Sequence, residues 1–155
     1  MGEERSGFSR ALDILSRRDH SEAELALKLR RKGVGEEEIT SVVARLRELG
    51  YLNDRRLAER IAETAMAGGR MVGPRLSREL IRRGIPRELA AEALALAAEG
   101  RDLRSDIREL LAGKFPSFDP READLREKRR VIGWFQRRGY PLSAILDALR
   151  VSADE

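Results

Sequence analysis

One short pattern occurs three times in the chain, each time around a glycine. An apolar residue lies four positions before the glycine, two basic residues precede it directly, and glycine or proline follows two positions later. The three copies are Leu29–Gly35, Leu80–Pro86 and Phe135–Pro141, and their glycines are 51 and 55 residues apart. Such a period indicates a chain of similar units of about fifty residues, each too small to bury its own apolar face well.

The positions around each glycine have the spacing of an amphipathic helix. Leu25, Leu76 and Val131 lie eight residues before the three glycines, and Val43, Leu94 and Leu149 lie ten residues after them. Apolar residues at such intervals form one face of a helix. Alternation of apolar and polar residues, which indicates strands, is nearly absent. The sequence therefore predicts an all-α protein.

Helix boundaries are well marked in the sequence. Ser21-Glu22-Ala23-Glu24 has the spacing of a capping box, and Gly33 is placed to end that helix in a left-handed conformation. Three acidic residues, Glu36–Glu38, complement the positive end of the next helix, so a metal site is not needed to explain them. The helix that contains these residues is predicted to end near Gly50. The next three helices are predicted over Asn53-Asp54 to about Ala67, Gly73-Pro74 to before Gly84, and Pro86 to Gly100. The last three are predicted to begin at Asp102, at Asp119-Pro120-Arg121-Glu122, and after Gly139-Tyr140-Pro141.

The predicted total is nine helices in three tandem three-helix repeats. The boundaries are residues 1–53, with a short disordered N-terminus, 54–101, and 102–155, with a short C-terminal tail. Glycine-rich segments at Met66–Gly73 and Gly113–Asp119 are predicted to be flexible joints, which favours an elongated, bent array. The alternative is a single nine-helix globule.

Composition excludes several classes of function. The chain of 155 residues has no Cys and one His, so disulfides, thiolate nucleophiles, cysteine metal sites and two-histidine zinc sites are ruled out. No phosphate-binding glycine loop occurs, and His20, just before a helix, is predicted to have a loop role. We expect no enzyme activity and no cofactor. No apolar run is long enough to span a membrane, which predicts a cytoplasmic protein without membrane contact.

Basic side chains are the candidate binding residues. The chain has 37% charged residues, a net charge of +4, and only 4 Lys among its 31 basic residues. Each basic run lies in the last turn of a predicted helix, where the helix dipole alone explains it. In a stacked array, however, equivalent helix ends would form a basic ladder suited to a phosphate backbone. The candidates are Arg30, Arg31, Lys32, Arg75, Arg78, Arg82, Arg83, Lys128, Arg129, Arg130, Arg137 and Arg138.

Aromatic residues surround the third basic run. Phe135 is equivalent to Leu29 and Leu80 and is therefore predicted to belong to the core. Trp134 has polar equivalents in the other repeats, so it is the better candidate for stacking on a base.

A further set of residues resembles the RecX family of RecA regulators. The resemblance rests on 11–25, on Leu49-Gly50-Tyr51-Leu52-Asn53-Asp54 with the residues to Ala58, on Gly73-Pro74-Arg75 with Glu79 to Ile85, and on 127–140. It covers nearly the whole chain. Leu57 departs from the pattern, because an aromatic residue is common there in the family.

The resemblance implies a monomeric protein that binds the RecA nucleoprotein filament, in its helical groove, and limits its ATPase, strand-exchange and coprotease activities. It also implies roles in homologous recombination, DNA repair and the SOS response. Two other functions stay open: a stand-alone protein binding single- or double-stranded DNA, since Ser21–Lys32 and Gly35–Gly50 superficially resemble a helix-turn-helix, and a protein adaptor without DNA contact. Acidic residues at the start of the second helix disfavour the helix-turn-helix.

Overall fold

Nine α-helices and the segments between them make up the described part of the protein. The computed structural model describes the backbone of residues 5–154 and the side chains of residues 5–150, and no strand occurs among them. The predicted all-α class is confirmed. The helices are α1 (Gly7–Arg17), α2 (Glu22–Arg31), α3 (Glu36–Glu48), α4 (Asp54–Ala67), α5 (Gly73–Arg82), α6 (Arg87–Ala98), α7 (Leu103–Lys114), α8 (Leu125–Arg137) and α9 (Leu142–Asp154).

The repeated sequence pattern corresponds to repeated local structure. Helices α2, α5 and α8 each end just before a repeat glycine, and these glycines have φ values of 86°, 84° and 101°. The left-handed conformation disfavours a side chain, which explains why glycine occurs at all three positions. The apolar positions four and eight residues earlier are fully buried in every copy: Leu25, Leu29, Leu76, Leu80, Val131 and Phe135.

Most helix starts follow the predicted caps. The Ser21 hydroxyl accepts the Glu24 amide at 3.0 Å, and the Glu24 carboxylate accepts the Ser21 amide at 3.1 Å, which completes the capping box. Similarly, Asp102 caps α7. Glu38 has a different role from its neighbours, because its carboxylate accepts the Gly7 amide of α1 at 2.7 Å.

The predicted start at Asp119 is wrong, because α8 begins at Leu125. Asp119 forms only one turn, in which its carboxylate accepts the Arg121 amide and its carbonyl accepts the Ala123 amide, both at 2.9 Å. Asp124 instead caps the helix by accepting the Glu127 amide at 2.8 Å. Both aspartates have Glu three residues later, so the local signal does not distinguish them. Pro86 also lies one residue before its helix rather than inside it.

The chain divides into two compact units. Unit 1 comprises the described residues up to Ile61 together with Glu79–Ala93. In its core, α1, α2 and α3 contact one another. An aliphatic cluster fills the space between them: Ala11, Ile14, Leu25, Leu29, Ile39, Val42, Val43, Leu46 and Leu52.

Unit 2 comprises Ala62–Arg78 and the described residues from Leu94 onward. Its helix α9 packs on α7 and α8 around buried Ile107, Phe135 and Ile145. The Gly68-Gly69 turn, predicted as part of a joint, is closely packed, since a Cβ on Gly69 would lie 2.5 Å from Leu110 Cδ1.

Several predictions concern parts that the structure does not test. The predicted disordered N-terminus includes residues 1–4, and the predicted C-terminal tail includes residue 155, all of which lie outside the described residues. The repeat boundaries after residues 53 and 101 stay predictions. Over the described residues, none of the helices is both long and apolar enough to cross a membrane.

Candidate nucleic-acid and filament interface

The end of α5, in unit 1, carries two arginines whose charges are both neutralised. Arg82 forms a two-pronged ion pair with Glu79, with Nε to Oε2 at 3.0 Å. Arg83 Nη2 donates to Glu24 Oε1 at 3.1 Å, and both of these side chains are about one-fifth exposed. The Ser21 hydroxyl donates to the Arg83 carbonyl. Arg83 therefore joins the end of α5 to the start of α2.

Glu24 is the acid on which this arrangement depends. Burial opposes its ionisation, but the Ser21 amide and the Arg83 guanidinium offset that effect, so the pKa of Glu24 is lowered from its ordinary value. The carboxylate accepts hydrogen bonds from both groups. Neither Glu24 nor Glu79 was among the predicted site residues, although the Glu79 partner was detectable from its spacing of three residues before Arg82.

The end of α8, in unit 2, has the same two basic positions without an acid. Arg138 lies over the ring of Trp134, with Cζ 3.5 Å from the ring centroid, and donates to the Trp134 carbonyl at 3.0 Å. Arg137 is exposed and forms no ion pair with any described residue. Burial, with the neighbouring Arg137 charge, lowers the pKa of Arg138. No carboxylate among the described side chains pairs with Arg138 to offset these two effects.

One face of the Trp134 ring is already occupied. The guanidinium of Arg138 covers one face of the ring, while Phe115 and Phe135 approach edge-on at centroid distances of 5.5 and 5.0 Å. Its role in this structure is to hold Arg138 through a cation–π interaction. Phe135 is fully buried, which confirms its predicted place in the core.

The start of α5 lies against the end of α8 within unit 2. The Val72 amide donates to the Arg138 carbonyl at 2.8 Å, and a Cβ on Gly139 would lie 3.0 Å from Arg75 Cβ. Arg78 follows Arg75 one turn later on α5, and both are exposed and form no described ion pair. The structure thus places Arg75 beside the end of α8. We call Arg75 and Arg138, with Arg78 one turn further along α5 and Arg137 next to Arg138 in the chain, the α5/α8 basic cluster.

The remaining predicted residues have different surroundings. Arg30, at the end of α2, pairs with Glu36, with Nη2 to Oε2 at 3.0 Å, so the guanidinium is not free. Its neighbours Arg31 and Lys32 are exposed, and neither has an acidic partner in the described structure. On α8, Lys128 is half-buried, and Arg129 and Arg130 are exposed and unpaired within residues 5–150. Of the predicted ladder, therefore, Arg30, Arg82 and Arg83 are already ion-paired.

Comparison with known proteins agrees with the repeated architecture. Two family descriptions match the chain, "RecX, first three-helix domain" over residues 8–46 and "RecX, second three-helix domain" over residues 53–94. A crystal structure of RecX from Lactobacillus salivarius has a TM-score of 0.75 and 22% identity, covering 96% of this chain and 94% of its own. That likeness concerns the fold.

Relatives of higher identity have the same name. The chain is 42% identical over 130 residues to the regulatory protein RecX of Trichlorobacter lovleyi, which covers 84% of each chain. It is 34% identical over 156 residues to regulatory protein RecX of Thermus thermophilus, covering 100% of this chain and 96% of the relative. With two matching domains and near full-length relatives, the chain belongs to the RecX family.

Proposed function

We propose that this protein regulates RecA by binding the RecA–DNA filament, in its groove, and limiting its ATPase, strand-exchange and coprotease activities. Membership of the RecX family supports the choice of partner. The protein would thereby modulate homologous recombination, DNA repair and the SOS response in the cytoplasm. It acts as a monomeric binding protein, and none of these roles requires a reaction at its own surface.

The α5/α8 basic cluster is the observation that carries the proposal. Its four guanidinium groups have no carboxylate partner among the described side chains, so their charge is available to an external anion. Guanidinium groups bind phosphate oxygens through two parallel hydrogen bonds. The Trp134 ring and carbonyl hold Arg138 in place, which reduces the rotamer entropy that binding would otherwise remove. Filament DNA is the polyanion we assign to this cluster.

The contribution of the other predicted basic residues to DNA binding depends on whether each already has an ion-pair partner. Exposed Arg31, Lys32, Arg129 and Arg130 extend the positive surface of their own units. For Arg82 and Arg83, a contact with the filament would first require an existing ion pair to open. We therefore assign phosphate contacts to the α5/α8 basic cluster first, and expect α5-end contacts to be weaker.

The decisive experiment is ATP hydrolysis by RecA of the same organism on single-stranded DNA, titrated with this protein. Inhibition at substoichiometric protein would indicate filament capping or disassembly, whereas inhibition only near one protein per binding site would indicate groove occupancy. Unchanged hydrolysis, together with salt-sensitive binding of the protein to DNA alone, would refute the RecA proposal and favour a stand-alone DNA-binding protein.

A pair of matched variants tests the site. Arg137→Gln and Arg82→Gln change equivalent positions, but only Arg82 has an acidic partner. We expect Arg137→Gln to weaken DNA binding and to reduce the slope of log affinity against log salt by about 0.7, the value for one single-strand phosphate contact. Arg82→Gln should leave both nearly unchanged. Equal effects of the two variants would contradict the assignment to the α5/α8 basic cluster.

A further inference from the structure

A cleft in unit 1 is lined mainly by basic side chains outside the α5/α8 basic cluster. It lies beside α1 and α2 and has a volume of about 530 Å³, within the range that holds small ligands. Ile14 is the one apolar side chain in its lining. The charged residues are Arg5, Arg10, Asp13, Arg17, Lys28 and Lys32.

Only one of the five basic side chains in the cleft is neutralised. Arg5 forms an ion pair with Asp13, which is the single acid of the lining. Arg10 Nη1 donates to the Lys32 carbonyl at 2.7 Å, a bond that fixes Arg10 without cancelling its charge. Arg17 and Lys32 have no acidic partner within the described residues. The cleft therefore concentrates positive charge in one concave place.

Lys28 is held in the cleft by a neutral partner. Its ammonium donates to His20 Nε2 at 2.8 Å, and the Nδ1 of the same ring lies 2.9 Å from the Arg18 carbonyl. Because Nε2 accepts from Lys28, the proton is on Nδ1, which donates to that carbonyl, and the imidazole is neutral. Burial lowers the pKa of His20, with further lowering by the Lys28 and Arg18 charges, in agreement with this neutral form. His20 thus positions Lys28 and leaves its charge available.

We propose that this cleft binds the sugar–phosphate backbone of a nucleic-acid strand through Arg10, Arg17, Lys28 and Lys32. Several donors of like charge around an open cleft suit a backbone that carries one negative charge per phosphate, and contacts of this kind need no base recognition. The single apolar lining residue leaves little for the side chains of a peptide to bury. The site goes beyond the proposed function, for which the α5/α8 basic cluster is sufficient.

A local probe is required, because the chain has other basic surfaces. Ile14 lines the cleft, whereas Ile145 lies in the core of unit 2. The full-length protein, labelled at the isoleucine δ1 methyl groups, is titrated with a single-stranded dT octamer and followed by NMR. We expect the Ile14 methyl signal to shift in a saturable way while the Ile145 signal moves much less. An Ile14 signal that stays in place while the octamer binds elsewhere overturns the proposal.

Arg17→Gln is the variant of choice, since its side chain is exposed and forms no described ion pair. We expect it to reduce the affinity measured through the Ile14 methyl group several-fold. It should also lower the salt slope by about 0.7. Arg87→Gln removes one charge from an exposed, unpaired arginine elsewhere in unit 1 and is the matched control. Equal losses in the two variants would show a general charge effect and reject the site.

Two further comparisons test the ligand class of the cleft and separate this inference from the RecA proposal. A Glu octapeptide that shifts Ile14 with higher affinity than the dT octamer would overturn the nucleic-acid assignment in favour of an acidic protein segment. If Ile14 responds to the dT octamer but RecA hydrolysis is unaffected by the protein, the cleft is supported and the RecA proposal fails. If hydrolysis is inhibited while Ile14 does not respond, the RecA proposal stands and the cleft assignment is wrong.

Discussion

The ends of α5 and α8 use the equivalent carbonyl as a hydrogen-bond acceptor but differ in charge. At each end, the carbonyl of the residue before the repeat glycine accepts a hydrogen bond: the Arg83 carbonyl from the Ser21 hydroxyl, and the Arg138 carbonyl from the Val72 amide. Ser21 and Val72 occupy equivalent positions, twelve residues before Gly33 and Gly84. The repeats therefore use one kind of junction twice, once in each unit.

Two side-chain positions explain the difference in charge. Five residues before the glycine, α5 has Glu79 and α8 has Trp134, so Arg82 is ion-paired and Arg138 is instead stacked on an aromatic ring. Nine residues before the preceding glycine, the contacting helix has Glu24 in one junction and Arg75 in the other. A repeat can thus keep this junction while its surface charge changes, because the charge depends on side chains other than those that bond the carbonyl before the glycine.

The largest expected effect is on the junctions themselves. A Cβ on Gly139 would overlap the Val72 carbonyl oxygen, and the residue has φ of 101°. We expect Gly139→Ala to lower the free energy of unfolding by about 3 kcal/mol or more, measured by urea denaturation. Gly33→Ala is the control, because Gly33 has φ of 86° but open space around it. It should cost only about 1–2 kcal/mol, the cost of the left-handed conformation, and equal losses would show that close packing is unimportant.

The ion pair at the unit 1 junction should contribute more to stability than the neighbouring pair. Arg83→Met leaves the partly buried Glu24 with the more exposed Arg18, at 3.3 Å, as its remaining guanidinium partner, and we expect a loss of about 1–3 kcal/mol. Arg82→Met removes a side chain that is 72% exposed, so a change within about 0.5 kcal/mol is expected. Chemical denaturation of both variants measures this contrast. An Arg82→Met variant as destabilised as Arg83→Met would contradict the expected difference between the two ion pairs.

The charge difference between the junctions can be reduced by one substitution. Arg75→Glu places a carboxylate at the position equivalent to Glu24, beside the end of α8. Because it removes one free cation and offers Arg138 a partner, we expect DNA affinity to fall about tenfold at low salt, with a smaller salt slope. Fluorescence anisotropy measures both. Arg75→Gln, which only removes the cation, should have a smaller effect, and an Arg75→Glu variant that binds like wild type would contradict this account.

The smallest expected effect is the pH dependence of the stability that the unit 1 junction provides. The pKa of Glu24 is lowered in the folded protein, against burial, by Ser21 and Arg83. Its stabilisation is therefore complete above the ordinary pKa of about 4.3 and is lost as pH falls through the lower folded value. Unfolding of wild type and Glu24→Gln between pH 6 and 3 should converge at low pH. Parallel curves would mean that the carboxylate contributes nothing.

Much of the fold was predictable from local sequence rules. The capping box at Ser21 and the buried positions at Leu25 and Phe135 follow from spacing alone, since helix periodicity and end capping act within a few residues. The same rules failed at Asp119, where a second aspartate with the same spacing, Asp124, caps the helix instead. When two local signals are equally good, packing decides where the helix begins.

The proposed binding residues were predictable only in part. The basic runs at the repeat glycines predicted residues of the α5/α8 basic cluster. They did not predict Arg10 and Arg17 on α1, which belong to no repeated pattern, or Lys28 on α2, whose equivalents in the other repeats are not basic. Arg138 follows Trp134 by four residues, the spacing at which side chains on one helix face come into contact. Their contact could have been predicted; that of Arg83 with Glu24 could not.

The sequence by itself determined the helices, the positions where they end and the apolar residues between them, because those depend on interactions over three or four residues. Only the tertiary structure decided which arginines are free. Glu24 neutralises Arg83 from a position 59 residues away, and Arg10 joins Lys32 across 22 residues to build the cleft. Whether a surface charge is neutralised depends on the distance between side chains in space. For residues so far apart in the chain, that distance is not determined until the helices pack.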